Sequence, residues 1–482
     1  MMKVLLVLPT DNLQETLGKG KLFVQATQPH NLLSLAAYVR ENGFPDIKIL
    51  DAYALGLNHN DIASYIREYD PQVIGLSCYT SDSPLTIQLT ESLKRLFPKK
   101  YIVLGGVHAS VFYKEFLTRG KADFIVYGEG ESTFLELLKT LRNGGSLGKI
   151  KGLFFRENDE FVRTGPRPFI ENLDILPKEA WDLAPMHLYR LPFHFHSEGN
   201  RSLITSRGCP VGCTFCAVHQ GKKIRYQSAH RVVDDFMELV NKYDAKHIHF
   251  MDSLFVGNKQ RIIEIMERLI ASKNKVSWSC SAHVNFLNRN ILKLMKRAGC
   301  SMISYGIESG VQELLNNIKK RTSLDKIKEI VGLTNEVGLK TRGLFMLGLP
   351  GETEEKSLQT IKFALSLPLD SAQFAITTPY PGTELYYQLV KDNKINAMAW
   401  ERYSAYSAFT NSEPIYVPGG MTSSQLKKLQ KKALIYFYFR PKQVLEEIKK
   451  LRPHNIKQYL KSLLILIGFT KLLVFARFPR NN

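Results

Sequence analysis

Short apolar runs ending in small or polar residues recur through the first part of the chain: KVLLVLP (3–9), IKILDAY (47–53), QVIGLSCYT (72–80), YIVLGGVHAS (101–110) and ADFIVYGEGE (122–131). Each has the unbroken hydrophobicity of a strand buried on both faces. Between them lie amphipathic stretches such as HNLLSLAAYVRENG (30–43), apolar at helical spacing and closed by Gly43. This alternation predicts a doubly wound, Rossmann-like α/β domain over residues 1–145, with a ligand crevice beyond the carboxyl ends of its strands. Residues 146–197 lose the pattern, and TGPRPFIENLDILPKEAWD (164–182), rich in Pro and acids, predicts an ordered linker. Over 198–404 the alternation resumes, with strands expected at 202–206, 247–252, 276–282, 302–308, 341–348 and 371–378. Six such units fit an open, partial (β/α)6 barrel, whose chemistry belongs on the loops at the strands' carboxyl ends. The pattern changes again after 404, and 405–482 predicts a basic helical extension.

Composition adds a compartment and a charged end. The 482 residues, 44% hydrophobic, suffice for two or three domains. The apolar run from Val4 to Leu8 is too short for the hydrophobic segment of a signal peptide. With six cysteines and no export signal, the chain is expected in a reducing, cytoplasmic setting, where clustered thiols bind metal more often than they form disulfides. Of the net charge of +20, fourteen Lys and Arg against two Glu place +12 from Met421 to the end. Such a tail suits an anionic surface, and equally a solvated basic face; a nucleic acid is not expected as partner. In NIKQYLKSLLILIGFTKLLVFARFPRNN (455–482), Lys471 breaks the uncharged runs, which are too short to span a bilayer. As a helix the segment turns Leu463, Leu466, Ile467 and Phe469 toward lipid, with Lys461, Lys471 and Arg477 near headgroups, or docks on the barrel.

The candidate chemistry lies in RGCPVGCTFC (207–216), where Cys209, Cys213 and Cys216 follow the first strand of the barrel. Structural zinc sites usually close with four ligands in two pairs; here His219 is the one nearby candidate for a fourth, and Cys78, Cys280 and Cys300 stand singly. Three thiolates in a tight loop also suit a four-iron cluster with one iron left open to bind substrate.

The spacing C-x3-C-x-aromatic-C, with Phe215 before the last cysteine, resembles the signature of radical S-adenosylmethionine enzymes. HFMDSLF (249–255), GIES (306–309), GLFMLGLPGE (343–352) and TPYPGTELY (378–386) match later segments of that family in order, extending the resemblance over roughly 198–390. It implies a 4Fe–4S cluster on Cys209, Cys213 and Cys216, with S-adenosylmethionine chelating the open iron and further contacts from Asp252, Glu308, Gly348 and Glu352.

Within this family, an N-terminal doubly wound domain of this length resembles the cobalamin-binding subfamily. GGVHAS (105–110) and YGEGE (127–131) match its Gly-rich turns, implying Gly105, Gly106, His108, Gly128 and Gly130 against the corrin. Glycine there permits close backbone approach to a flat ring. Asp-x-His-x-x-Gly, in which histidine ligates cobalt, does not occur in the sequence, as is common in the subfamily. The implied activity is methylation of an unactivated carbon of a small-molecule or lipid substrate, through a 5′-deoxyadenosyl radical and methylcobalamin. A reducing donor such as flavodoxin or ferredoxin is implied with it. Cyclisation or rearrangement without methyl transfer is the alternative. A methylthiotransferase would carry a second cysteine trio in its N-terminal domain, where this chain has Cys78 alone. An electron carrier would close its cluster with a fourth thiolate, and a degenerate sheet that merely packs on the barrel stays open as a reading of residues 1–145.

Overall fold

The computed structural model describes residues 2–9, 26–189, 199–217, 220–441 and 444. His219 and the segment 455–482 lie outside the described residues.

Strands β1 (Val4–Leu8), β2 (Ile47–Asp51), β3 (Val73–Ser77), β4 (Tyr101–Gly105) and β5 (Phe124–Val126) form where the apolar runs predict them. They pair in parallel in the order β2-β1-β3-β4-β5. Parallel strands need crossovers, and helices such as α1 (His30–Glu41) and α2 (His59–Tyr69) supply them. The first buries Leu32, Leu33, Ala36, Ala37 and Val39 on the sheet. The second starts from a capping box in which Asn58 and Asp61 satisfy each other's amides, a device worth about 1 kcal/mol. The chain runs in opposite directions from β1 to β2 and from β1 to β3, and that reversal opens a crevice at the strands' carboxyl ends.

The stretch read as linker also holds a hairpin. Strands β6 (Leu153–Glu157) and β7 (Glu160–Arg163) extend the first sheet antiparallel, with Val126 opposite Leu153. The turn is Asn158–Asp159, both at positive φ, the geometry that a two-residue hairpin demands.

The second sheet has six parallel strands in chain order: β8 (Asn200–Leu203), β11 (His247–Phe250), β12 (Ser277–Ala282), β13 (Cys300–Glu308), β14 (Lys340–Leu347) and β15 (Ser371–Ile376). Edge strands β8 and β15 do not pair with each other, so the barrel is open. A short antiparallel ladder of β9 (Ser206–Arg207) and β10 (Arg225–Tyr226) stands beside it. An open edge invites wrong pairing, and here the chain covers it. Ile376 donates its amide to Ala405, and Tyr438, on the last helix (Ser423–Tyr438), donates its hydroxyl to the Ala372 carbonyl at 2.8 Å. Gln430 of that helix donates to the Phe374 carbonyl, and Leu426, Leu429, Ala433 and Phe437 are buried.

The two sheets share a polar seam. His30 Nε2 lies 2.8 Å from Ser202 Oγ and its Nδ1 2.9 Å from Glu179, while the Ser202 amide donates to Gln28 at 2.6 Å. The seam turns the carboxyl ends of the first sheet toward the mouth of the barrel.

Candidate active site

A cavity of about 840 Å3 lies between those two ends. From the first sheet it is lined by the turns after β3, β4 and β5, and so by Gly105, Gly106, His108, Gly128 and Gly130. From the barrel it is lined by Ser206, Arg207, Ala217, Met251, Ser253 and Tyr380. Gly106 has φ +109°, and a Cβ there would stand 2.8 Å from the Cys78 carbonyl oxygen, so this turn admits only glycine. His108 is buried against Phe112 and Trp400, its Nδ1 3.2 Å from Thr80 Oγ1. Burial pulls its pKa down to about 3, which keeps the ring neutral. Tyr79, Met251 and Tyr380 are 52%, 42% and 37% exposed on the cavity wall and give it an apolar surface.

The cysteine loop hangs from the β9–β10 ladder. The Cys209 amide donates to Gly221 and that of Cys216 to Cys213, each at 3.1 Å. Thr214 ties the loop to the barrel twice, donating to Ile318 at 3.1 Å and accepting from Leu385 at 2.9 Å. All three thiols are free, and Cys216 is exposed. Although its surface is exposed, the protein crowded around the Cys216 thiol desolvates it and pushes it up to about 11, with the thiols of Cys213 and Cys209 adding to it. Such thiols give up their protons when metal takes their place. Among the described residues no group of three His, Cys, Asp or Glu side chains is arranged to hold a metal ion. A four-iron cluster makes no such demand, because each thiolate binds its own iron. The donor set and the anchored loop therefore fit a cluster.

Glu308 ends β13 with φ +67°, after a shift of register between Gly306 and Glu308. Its carboxylate is held by Lys320 Nζ at 2.9 Å, both side chains being nine-tenths buried. A Cβ on Gly306 would lie 2.5 Å from that carboxylate and 2.8 Å from the ammonium. Burial works against the Lys320 charge, but Glu308 and the thiols of Cys213 and Cys216 outweigh it, and the pKa is raised. Lys320 was not singled out by any sequence motif. A lone buried carboxylate is costly, so Lys320→Met should destabilise the fold by about 3–5 kcal/mol. Denaturant titration checks this, and combining it with Glu308→Gln should recover most of the loss.

The remaining predicted contacts stand elsewhere. Asp252 is buried and accepts from the Thr205 amide and hydroxyl at 3.0 Å. It thereby fixes the end of β11 to the strand entering the cysteine loop. Burial raises its pKa, and Arg261 opposes that. Gly348, at φ +84°, backs onto Leu426 of the last helix. Glu352 accepts from the Leu349 amide at 2.7 Å and from Ser357 at 2.6 Å. None of the three lines the cavity, and neither do Glu308 and the three cysteines of the loop, while Arg207, Ala217 and Gln220 on either side of that loop border it.

Burial pushes Glu352 up to about 7 from an ordinary 4.5. The folded state thus binds the proton more tightly than the unfolded one, so the contribution is complete below about pH 4.5 and is lost as pH rises through about 7. The free energy of unfolding measured across that window should fall by up to about 3 kcal/mol for this group, and Glu352→Gln should flatten the slope.

Comparison with known proteins agrees with this geometry. Residues 203–364 match the radical SAM superfamily and residues 23–138 the B12 binding domain. The chain is 36% identical to an uncharacterised methyltransferase of Pyrococcus horikoshii, over 96% of this chain and 98% of that one. It is 28% identical to the anaerobic magnesium-protoporphyrin IX monomethyl ester cyclase of Cereibacter sphaeroides, over 84% of this chain and 68% of the cyclase. Among solved structures, the radical S-adenosylmethionine methyltransferase TsrM of Kitasatospora setae, with cobalamin and a [4Fe-4S] cluster bound, superposes with a TM-score of 0.69. It is 17% identical and covers 89% of this chain and 91% of its own, a likeness of fold. Two domain matches in tandem and a relative aligned almost end to end leave one assignment: the chain is a cobalamin-binding radical S-adenosylmethionine enzyme, with a 4Fe–4S cluster, S-adenosylmethionine and cobalamin as its cofactors.

Proposed function

We propose that the enzyme methylates an unactivated carbon of a small-molecule or lipid substrate. The observation that carries this reading is that one continuous cavity is bounded on one side by the glycine turns of the first sheet and on the other by residues flanking the cysteine loop. Similarity to a methyltransferase over nearly the whole chain supports it. When bound, the cluster supplies the electron that splits S-adenosylmethionine, and cobalamin carries the methyl group.

The chain's part is to hold and orient. Cys209, Cys213 and Cys216 hold the cluster, in a loop anchored through Thr214. Glu308, aimed by Lys320, offers its carboxylate to the ribose hydroxyls of S-adenosylmethionine. Asp252 and Glu352 act one step removed, fixing the loops on either side. Gly105, Gly106, Gly128 and Gly130 let the backbone lie against the corrin, with neutral His108 in the same wall. Met251 and Tyr380 exclude water at the barrel mouth. A one-electron donor such as flavodoxin or ferredoxin approaches on the side of the exposed Cys216.

Among the described residues no helix is long and apolar enough to cross a membrane. The composition of 455–482 supports peripheral contact with anionic lipid; equal sedimentation with anionic liposomes of full-length protein and protein ending at Pro453 would refute it. A second reading, ring closure, draws on the likeness to the cyclase. Anaerobic incubation of the reconstituted enzyme with methyl-labelled S-adenosylmethionine and a cell extract separates the two. Methyl transfer puts label into a new lipid, peptide or small-molecule product; ring closure consumes S-adenosylmethionine and returns the label as methionine, with no other product labelled.

A further inference from the structure

The turn YGEGE carries two glutamates for which the corrin has no evident use, and RGC carries an arginine ahead of the first cysteine. The fold brings them together. Arg207 Nη2 lies 2.5 Å from Glu131 Oε1, and its Nη1 3.3 Å from Glu129. Arg225 Nη1 lies 2.8 Å from the same Glu129 carboxylate. These side chains are 2% to 13% exposed.

Arg207 and Arg225 face each other directly in the β9–β10 ladder. Two like charges opposite one another on a ladder repel, and burial worsens the repulsion. The two carboxylates that neutralise them are not from the barrel: Glu129 comes from the turn after β5 and Glu131 from the first turn of the helix that follows it (Gly130–Asn143), where Gly128 and Gly130 line the cavity. Ser34, on α1, adds a hydrogen bond to Glu131 at 3.0 Å, and Arg225 donates to the carbonyls of Ile170 and Gln220 at 2.7 Å. Neither arginine could be replaced by a lone point charge with the same reach. Burial works against the charge on Glu131, yet Arg207 outweighs it and holds the carboxyl below its usual range.

We propose that Arg207, Arg225, Glu129 and Glu131 are positioning residues that set the distance between the iron–sulfur cluster and the cobalamin. Arg207 is two residues from Cys209, and Glu129 lies between the two corrin-facing glycines with Glu131 directly after them, so the clamp joins the two cofactor-bearing segments with few intervening bonds. The inference rests on the cofactor placement proposed above.

The test is electron paramagnetic resonance of the full-length holoenzyme. Both the reduced cluster and cob(II)alamin are paramagnetic, and a nearby cluster speeds the spin relaxation of the cobalt. Wild type is expected to show that enhancement. Arg207→Ala and Glu131→Gln, the latter keeping shape and removing only charge, are expected to lose it at full iron and cobalamin content, and to form more 5′-deoxyadenosine per S-adenosylmethionine methyl group transferred. Arg207→Lys is expected to restore part of it. Relaxation equal to wild type in the Ala and Gln variants would overturn the proposal. So would loss of iron in Glu131→Gln, which would make the clamp a prop for the cysteine loop alone. Should wild type take up no cobalamin, the placement of the cofactors fails first and this inference with it.

Discussion

Cys213→Ala, purified without oxygen, is expected to hold almost no iron, where wild type reconstituted under the same conditions holds about four atoms per chain. S-adenosylmethionine cleavage should be lost with it. The same holds for Cys209→Ala and Cys216→Ala, because a loop pinned at Gly221, Ile318 and Leu385 cannot bring another side chain into a vacated corner. Cys78, Cys280 and Cys300 serve as controls. All three are buried, and burial pushes each thiol far above its ordinary range, so they behave as small apolar side chains. Their replacement by Ala should leave the iron content unchanged. Iron measured against protein, with the absorbance of the cluster, reads the whole series.

The second large effect is expected at Gly106. A side chain there meets the Cys78 carbonyl oxygen at 2.8 Å and forces a non-glycine residue to φ +109°, a strain of about 1–3 kcal/mol. The turns after β3 and β4 must then move apart, and both border the cavity. Gly106→Val should therefore weaken cobalamin retention by about tenfold for each 1.4 kcal/mol of strain the bound state carries. Cobalamin retained through gel filtration measures this, and iron content should stay at the wild-type level. Equal loss of iron and cobalamin would mean that the whole chain had unfolded instead.

Much of this was legible in the sequence because the first five strands of one sheet and all six of the other are parallel. A parallel strand is buried on both faces, so β1, β3 and β4 read as continuous apolar runs, and the glycines ending β4 and following β5 mark strand ends by their composition. The cysteine trio was legible for a different reason, since its spacing is local and needs no fold to interpret. The hairpin at 153–163 was hidden because Asn158 and Asp159 make its turn without glycine, amid residues rich in charge. Lys320, and the pairing of Arg207 with Glu131, were illegible because they depend on contacts 12 and 76 residues apart in sequence. Asp252 and Glu352 were picked out as cofactor contacts by the segments that hold them, HFMDSLF and GLFMLGLPGE; that both are buried, with Asp252 Oδ1 and both oxygens of Glu352 bonded to neighbouring segments, only the folded chain reveals.

The central claim is that cobalamin, seated between the two sheets, passes a methyl group from S-adenosylmethionine to substrate. The most direct measurement gives the enzyme, reconstituted with iron, sulfide and hydroxocobalamin, trideuteromethyl S-adenosylmethionine under strongly reducing conditions, and takes the mass of the protein-bound cobalamin. The account predicts trideuteromethylcobalamin at a stoichiometry approaching one per chain. Bound cobalamin that stays unmethylated while 5′-deoxyadenosine and labelled methionine accumulate would contradict it, and would move the enzyme to the ring-closing side of its family.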